Sequence, residues 1–186
     1  MSWRLALLLA ALGAAWRPAG ASDYRIDPDR SHAQFSVRLL WLRTASGRFT
    51  GIAGQVRLRP DGTASVDASI AVDSVVMEAA WMRRFALAEA FFDAAHYPAI
   101  RFASAPVPLR ALAEGGELDG LLTLRGVTRP VRFELRPAAC PQPGVRPCQL
   151  EVQGSVSRSE FGMTAHRATL SDEVKLGLSV TLAPAP

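Results

Sequence analysis

Alternation of apolar and polar residues runs through most of this chain, and it restricts the fold to strands that are buried on one face and wet on the other. In "AQFSVRLLW", Ala33, Phe35, Val37, Leu39 and Trp41 share one side, while Gln34, Ser36 and Arg38 take the opposite one. "TASVDASIAVD" sets Ala64, Val66, Ala68, Ile70 and Val72 against Ser65, Asp67 and Ser69. "VRFELR", "QLEVQGSVS" and "EVKLGLSVTL" repeat the pattern through Val131, Phe133 and Leu135, through Leu150, Val152 and Val156, and from Val174 to Leu182. A period of two marks antiparallel strands. Weaker strands read at 47–60, 99–107 and 117–125, which makes about eight with turn signals between most of them. "PDG" at 60–62 and "RGVTRP" at 125–130 supply Gly and Pro for hairpin connections. Such a set suits a closed barrel or a two-sheet sandwich, and periodicity does not separate the two. An eight-stranded barrel has room for side chains or for one small ligand. The inward residues require that ligand to be apolar.

One segment breaks the alternation. "EAAWMRRFALAEAFFDAAHYP", Glu78 to Pro98, is rich in Ala, Leu, Met and Glu, so a helical excursion is expected over about residues 76–95. Trp81, Phe85, Ala88 and Phe92 then fall on one helical face that would pack on the sheet. Met82, Leu87 and Phe91 lie off that stripe. They read either as core reached by a curved or broken helix, or as the border of a lipid tunnel's mouth, where each exposed Phe or Trp covered by a ligand tail contributes roughly 1.5–3 kcal/mol. Arg83 and Arg84 would meet a polar or anionic head group there, or simply form a solvated helix face.

The first residues read as an export signal. "MSWR" is a short basic start, "LALLLAALGAAW" is too short an apolar run to span a bilayer, and Ala19 and Ala21 form an A-x-A site. Cleavage is expected after Ala21, leaving residues 22–186 as one domain. Removing Arg4 and Arg17 from the 21 basic residues leaves 19 against 17 acids, a net charge of +2. The remaining cations are spread along the chain, without the basic, aromatic-interleaved stripe that nucleic acid requires. No later apolar run is long enough to form a transmembrane segment. Both cysteines fall in "CPQPGVRPC". In an oxidising compartment Cys140 and Cys148 are expected to pair, closing a short ring worth roughly 2–3 kcal/mol.

Little in the chain points to catalysis or to a metal. His32, His96 and His166 belong to no ligand pair, and C-x-x-C spacing is missing. Ser31 and His32 lie near Asp27, but neighbours on a strand face opposite ways and no G-x-S-x-G elbow exists. Asp172-Glu173 and Asp27/Asp29 sit at strand starts or turns. No catalytic residue, metal site or cofactor is expected.

With the strands placed, six stretches in register become recognisable: "YRIDPDRSHAQFSVR", "SGRFTGIAGQV", "FFDAAHYPAIRFAS", "LDGLLTLRGVTRPVRFEL", "SRSEFGM" and "LSDEVKLGLSV". Together they resemble the YceI family of periplasmic, lipocalin-like proteins, from about Tyr24 to Leu182. The resemblance implies an all-β fold, an eight-stranded antiparallel barrel with one helical excursion. It also implies a long apolar ligand, polyisoprenoid-like or fatty-acid-derived, held inside the barrel, and location in the periplasm. The expected lining is Phe35, Val37, Leu39 and Trp41, then Val66, Ile70 and Val72, then Ile100 and Phe102, with Trp81, Phe85 and Phe92 from the helical segment. The expected function is a non-enzymatic carrier. A second reading is a protein–protein docking module in a stress or respiratory process, with an empty barrel, an exposed apolar helix and a homodimer among its open options. An enzyme acting on lipid-linked substrates would need polar groups inside the barrel, where the alternation places few.

Overall fold

The structure is a computed structural model describing residues 23–40, 43–138 and 149–185. The first half of the chain runs β1 (Asp23–Ile26), β2 (His32–Leu39), β3 (Arg43–Phe49), β4 (Ile52–Leu58), β5 (Thr63–Ala71), β6 (Val75–Met77) and α1 (Ala80–Leu87). The second half runs β7 (Ala99–Ser104), β8 (Val107–Pro108), α2 (Arg110–Glu114), β9 (Gly116–Leu124), β10 (Val127–Leu135), β11 (Gln149–Ser157) and β12 (Leu170–Pro184). The expected export signal, Trp41, and Cys140 and Cys148 all lie outside the described residues.

Strands β1, β4, β5, β7, β9, β10, β11 and β12 pair in that order, and β12 pairs back onto β1. The result is a closed barrel of eight antiparallel strands, which resolves the choice between barrel and sandwich and leaves the ring without a free edge. The barrel is tall on one side. The C-terminal end of β12 pairs with β1, whereas Leu170 to Ser179 pair with β2. Strands β2, β3 and β6 extend the wall beyond β1, β4 and β5. The 47–60 region is therefore two strands, β3 and β4, broken at Thr50-Gly51. "RGVTRP" holds only a two-residue turn: Arg125 and Gly126 take positive φ of 52° and 71°, the sign pattern of a tight hairpin, and Val127 to Pro130 already belong to β10. Pro130 is tolerated in the strand because the described β10–β11 ladder is confined to Glu134 and Leu135.

The helical excursion is much shorter than its composition suggests. Helix α1 covers Ala80–Leu87 only, and Ala88 is extended, with ψ of 162°. Beyond it the chain folds back through turns: the amides of Phe92 and Ala94 donate to the carbonyls of Ala86 and Leu87 at 3.0 and 3.1 Å. Asp93 takes the left-handed conformation (φ 49°), and its carboxylate holds the His96 ring at 2.8 Å. The physical reason is tertiary. Phe92 is drawn inward to make edge-on contacts with Phe35 and Phe49, at 5.5 and 5.4 Å between ring centres, which a continuing helix would forbid. The stripe Trp81, Phe85, Ala88, Phe92 consequently does not pack as one face. The buried residue of α1 is Ala86, while Trp81, Phe85 and Ala88 are exposed.

The hydrogen bond to Asp93 raises the His96 pKa, and the carboxylate's charge acts in the same direction. A group whose folded pKa is raised stabilises the fold fully below its unfolded value, near 6.5, and that contribution disappears as pH rises through the folded value. Titration of His96 followed by NMR should give a midpoint above 6.5 that moves back towards it in Asp93→Asn.

Candidate functional site

Inward residues from all parts of the barrel wall enclose a cavity of about 430 Å³. One end is shut by α2, whose Ala111 and Leu112 pack with Ile26, Val107 and Leu135. At the other end lie α1, the turns after it, and the loop from Gly162 to Thr169 that leads into β12. Ile70, Phe102, Val131 and Leu178 contact the core clusters of both ends and form the waist. Among the described residues, those of the lining that are polar are Gln34, Arg158, His166 and Thr169.

The lumen stays open because three phenyl rings lie flat on the wall over glycine. Phe35 faces Gly47 directly across β2–β3. Phe102 covers Gly120, and Phe133 covers Gly154. A Cβ at Gly120 would sit 2.5 Å from the Phe102 ring and 2.6 Å from the Ala103 carbonyl oxygen, and the backbone atom has nowhere to go. Gly120→Ala should therefore lift Phe102 into the lumen and lower stability by about 1–3 kcal/mol. A denaturation curve matching that of the unaltered protein would contradict this.

Most expected lining residues do border the cavity. Phe35, Val37 and Leu39 of β2 and Val66 and Ile70 of β5 are on its wall, as are Ile100 and Phe102 of β7. Phe92 closes one side, and Trp81 and Phe85 form part of the rim, 63% and 42% exposed. Val72 is different: β5 ends at Ala71, and Val72 enters a tight turn where it is buried in the core away from the cavity. Met82 and Phe91 border the cavity, whereas Leu87 packs in the core. Arg83 does not meet the cavity. Its Nε donates to the Val75 carbonyl at 2.9 Å and its Nη2 to the Asp73 carbonyl at 2.6 Å, tying α1 to the wall. Arg84 points to solvent.

The cation that does reach the lumen is Arg158. It is 3% exposed, and its guanidinium donates to four backbone carbonyls, those of Met163, Ala165, Leu170 and Ser171, at 2.6 to 3.3 Å. Burial lowers its pKa. These bonds hold the 162–170 loop, whose His166 (φ 55°) stacks on Phe91 at 6.0 Å and meets Phe85 at 5.2 Å. Arg158 follows Leu150, Val152 and Val156 in the same alternation, so its inward position was available from spacing. His166 and Thr169 carry no periodic signal.

The Ser31 hydroxyl is engaged by the Thr181 backbone, accepting its N–H at 3.0 Å. Burial and nearby Arg48 lower the His32 pKa. Among the described residues, no group of three or more His, Cys, Asp or Glu side chains is placed to hold a metal ion, and no helix is long and apolar enough to cross a membrane.

An eight-stranded closed barrel around an apolar lumen defines a lipocalin-like protein. Residues 24–182 match the YceI-like domain, and the chain belongs to that family. It is 30% identical over 184 residues to a UPF0312 protein of Yersinia pestis (strain Pestoides F), covering 94% of each chain. Among solved structures, BcnA of Burkholderia cenocepacia superposes with a TM-score of 0.73 at 20% identity, covering 85% of this chain and 99% of that one. A polyisoprenoid-binding domain from Saccharophagus degradans superposes with a TM-score of 0.68 at 13% identity, covering 89% and 100%. At these identities the structural likeness establishes the fold.

Proposed function

We propose that this chain is an exported, non-catalytic carrier that holds one long apolar molecule (a polyisoprenoid, an isoprenoid quinone or a fatty-acid derivative) inside the barrel. The observation that carries the reading is the cavity itself. An unfilled cavity costs on the order of 24 cal/mol per Å³ in stability, so packing alone would be expected to eliminate a void of about 430 Å³. Ordered water does not compensate, because a buried water needs two to four polar partners and this wall provides few. An apolar tail satisfies the wall through area burial alone. The polyisoprenoid-binding neighbour on the same fold supports the same ligand class. Its polar end would lie at the rim near His166 and Thr169, with the tail against Phe35, Ile70 and Phe102. Export through the leader at residues 1–21, and a Cys140–Cys148 disulfide, belong to this proposal.

Titration of the purified protein with a long-chain isoprenoid quinone tests it. Saturable quenching of tryptophan emission with one quinone per chain is expected. Absence of saturable quenching by quinone, together with no uptake of polyprenol or fatty amide, would favour the docking-module reading instead.

A further inference from the structure

The cavity's rim is apolar on its outside as well as its inside. Trp81 and Phe85 line the lumen yet are 63% and 42% exposed. Phe85 contacts His166, the loop continues from there to Thr169, and the Thr169 carbonyl accepts the amide of Leu40, itself 60% exposed. An uninterrupted path of contacts thus joins α1, the 162–170 loop and the tip of β2. Cations flank that path: Arg84 follows Trp81 by one helical turn, Arg167 adjoins His166, and Arg38 and Arg43 border Leu39 and Leu40. None of the four has a carboxylate within salt-bridge distance among the described residues. The acids nearest α1 in sequence, Glu78 and Glu89, lie beyond its two ends, and Glu78 lines a separate surface groove together with Arg48 and Lys175.

We infer that this rim docks on an anionic phospholipid surface. Trp, Phe and Leu beside unpaired Arg is the composition that settles at a lipid interface: the rings enter the boundary between head group and acyl chain, and the guanidinium groups meet phosphate. A protein partner would be expected to present acids to these cations but gives no reason for the exposed Trp81 and Phe85 to line the lumen as well. A bilayer supplies both anionic charge and apolar depth at one place. Docked in this way, the mouth opens onto acyl chains, and a water-insoluble ligand transfers without crossing water. That consequence rests on the carrier reading, but the docking does not.

Flotation of the purified full chain with vesicles of phosphatidylcholine alone, and of phosphatidylcholine mixed with phosphatidylglycerol, tests the inference. Binding to the mixed vesicles is expected, weakened by salt. The double substitution Trp81→Ser/Phe85→Ser should weaken it about tenfold or more, and Arg84→Gln/Arg167→Gln should remove the preference for phosphatidylglycerol. A thermal melt controls for folding. Failure to float with either vesicle overturns the inference, as does binding that the double substitution leaves unchanged. Concentration-dependent dimerisation lost in that same variant, without flotation, would assign the rim to a second copy of the chain and also overturn it. Ligand loading scored separately in solution keeps the two proposals distinguishable: loading without flotation contradicts docking alone, and flotation without loading contradicts the carrier alone.

Discussion

Leu178→Trp is expected to abolish capture of a long apolar molecule while leaving the barrel folded. Leu178 lies on β12 at the waist of the lumen, touching the cores of both ends. Its cross-strand neighbours, Val152 and Ala33, are small. An indole at this position extends into the void and occupies the space a ligand tail would cross. Losing the contacts beyond the waist should weaken binding about a hundredfold or more. The stability result is equally informative. Filling an open cavity leaves the melting temperature unchanged or raises it, whereas forcing an indole into a close-packed core costs about 1–3 kcal/mol. A folded, unimpaired Leu178→Trp protein that no longer takes up quinone is the expected outcome. A protein destabilised by that amount would show that the lumen is already filled by side chains.

Arg158 is expected to dominate the stability of the mouth. Its guanidinium joins two carbonyls of the 162–170 loop, those of Met163 and Ala165, to two at the start of β12, those of Leu170 and Ser171, in a site sealed from water and with no carboxylate in direct contact. Arg158→Met keeps much of the volume and removes every donor, leaving those carbonyls to lose their partners together. The cost should be about 3 kcal/mol or more, read from the denaturation midpoint at constant slope. Arg158→Lys should recover part of it, since one ammonium cannot span the positions reached by a planar fork. Because the loop carries His166 and Thr169 to the rim, ligand retention should fall as well. A wild-type midpoint for Arg158→Met would mean that the loop is held by other contacts.

The barrel was legible because antiparallel strands with one wet face impose a period of two on the chain. β12 shows this best: its alternation from Val174 to Leu182 can be read directly and spans most of the strand. The same periodicity correctly pointed Phe35, Val37, Ile70 and Phe102 inward. It fails where a strand stops. Val72 shares the parity of Ile70, but the chain turns after Ala71 and the parity loses its meaning. The α1 region misled for a different reason. Its Ala, Leu and Met content is helical by propensity, yet burying Phe92 against Phe35 and Phe49 outweighs the few tenths of a kcal/mol per residue that propensity supplies. Arg83, expected at a head group, donates instead to the carbonyls of Asp73 and Val75, a pairing that spacing within the helical segment does not reveal. Arg158, the first residue beyond β11, keeps the inward parity that Val72 loses, but an inward charge is identified as structural only once its acceptors are known.

The central claim, that the lumen holds a long apolar molecule, is tested most directly by native mass spectrometry of the protein isolated from its native host, followed by organic extraction. The expected result is one long-chain apolar molecule per chain, absent from Leu178→Trp prepared in the same way. A clean mass for the empty protein, with no uptake when quinones, polyprenols and fatty amides are supplied, would contradict it.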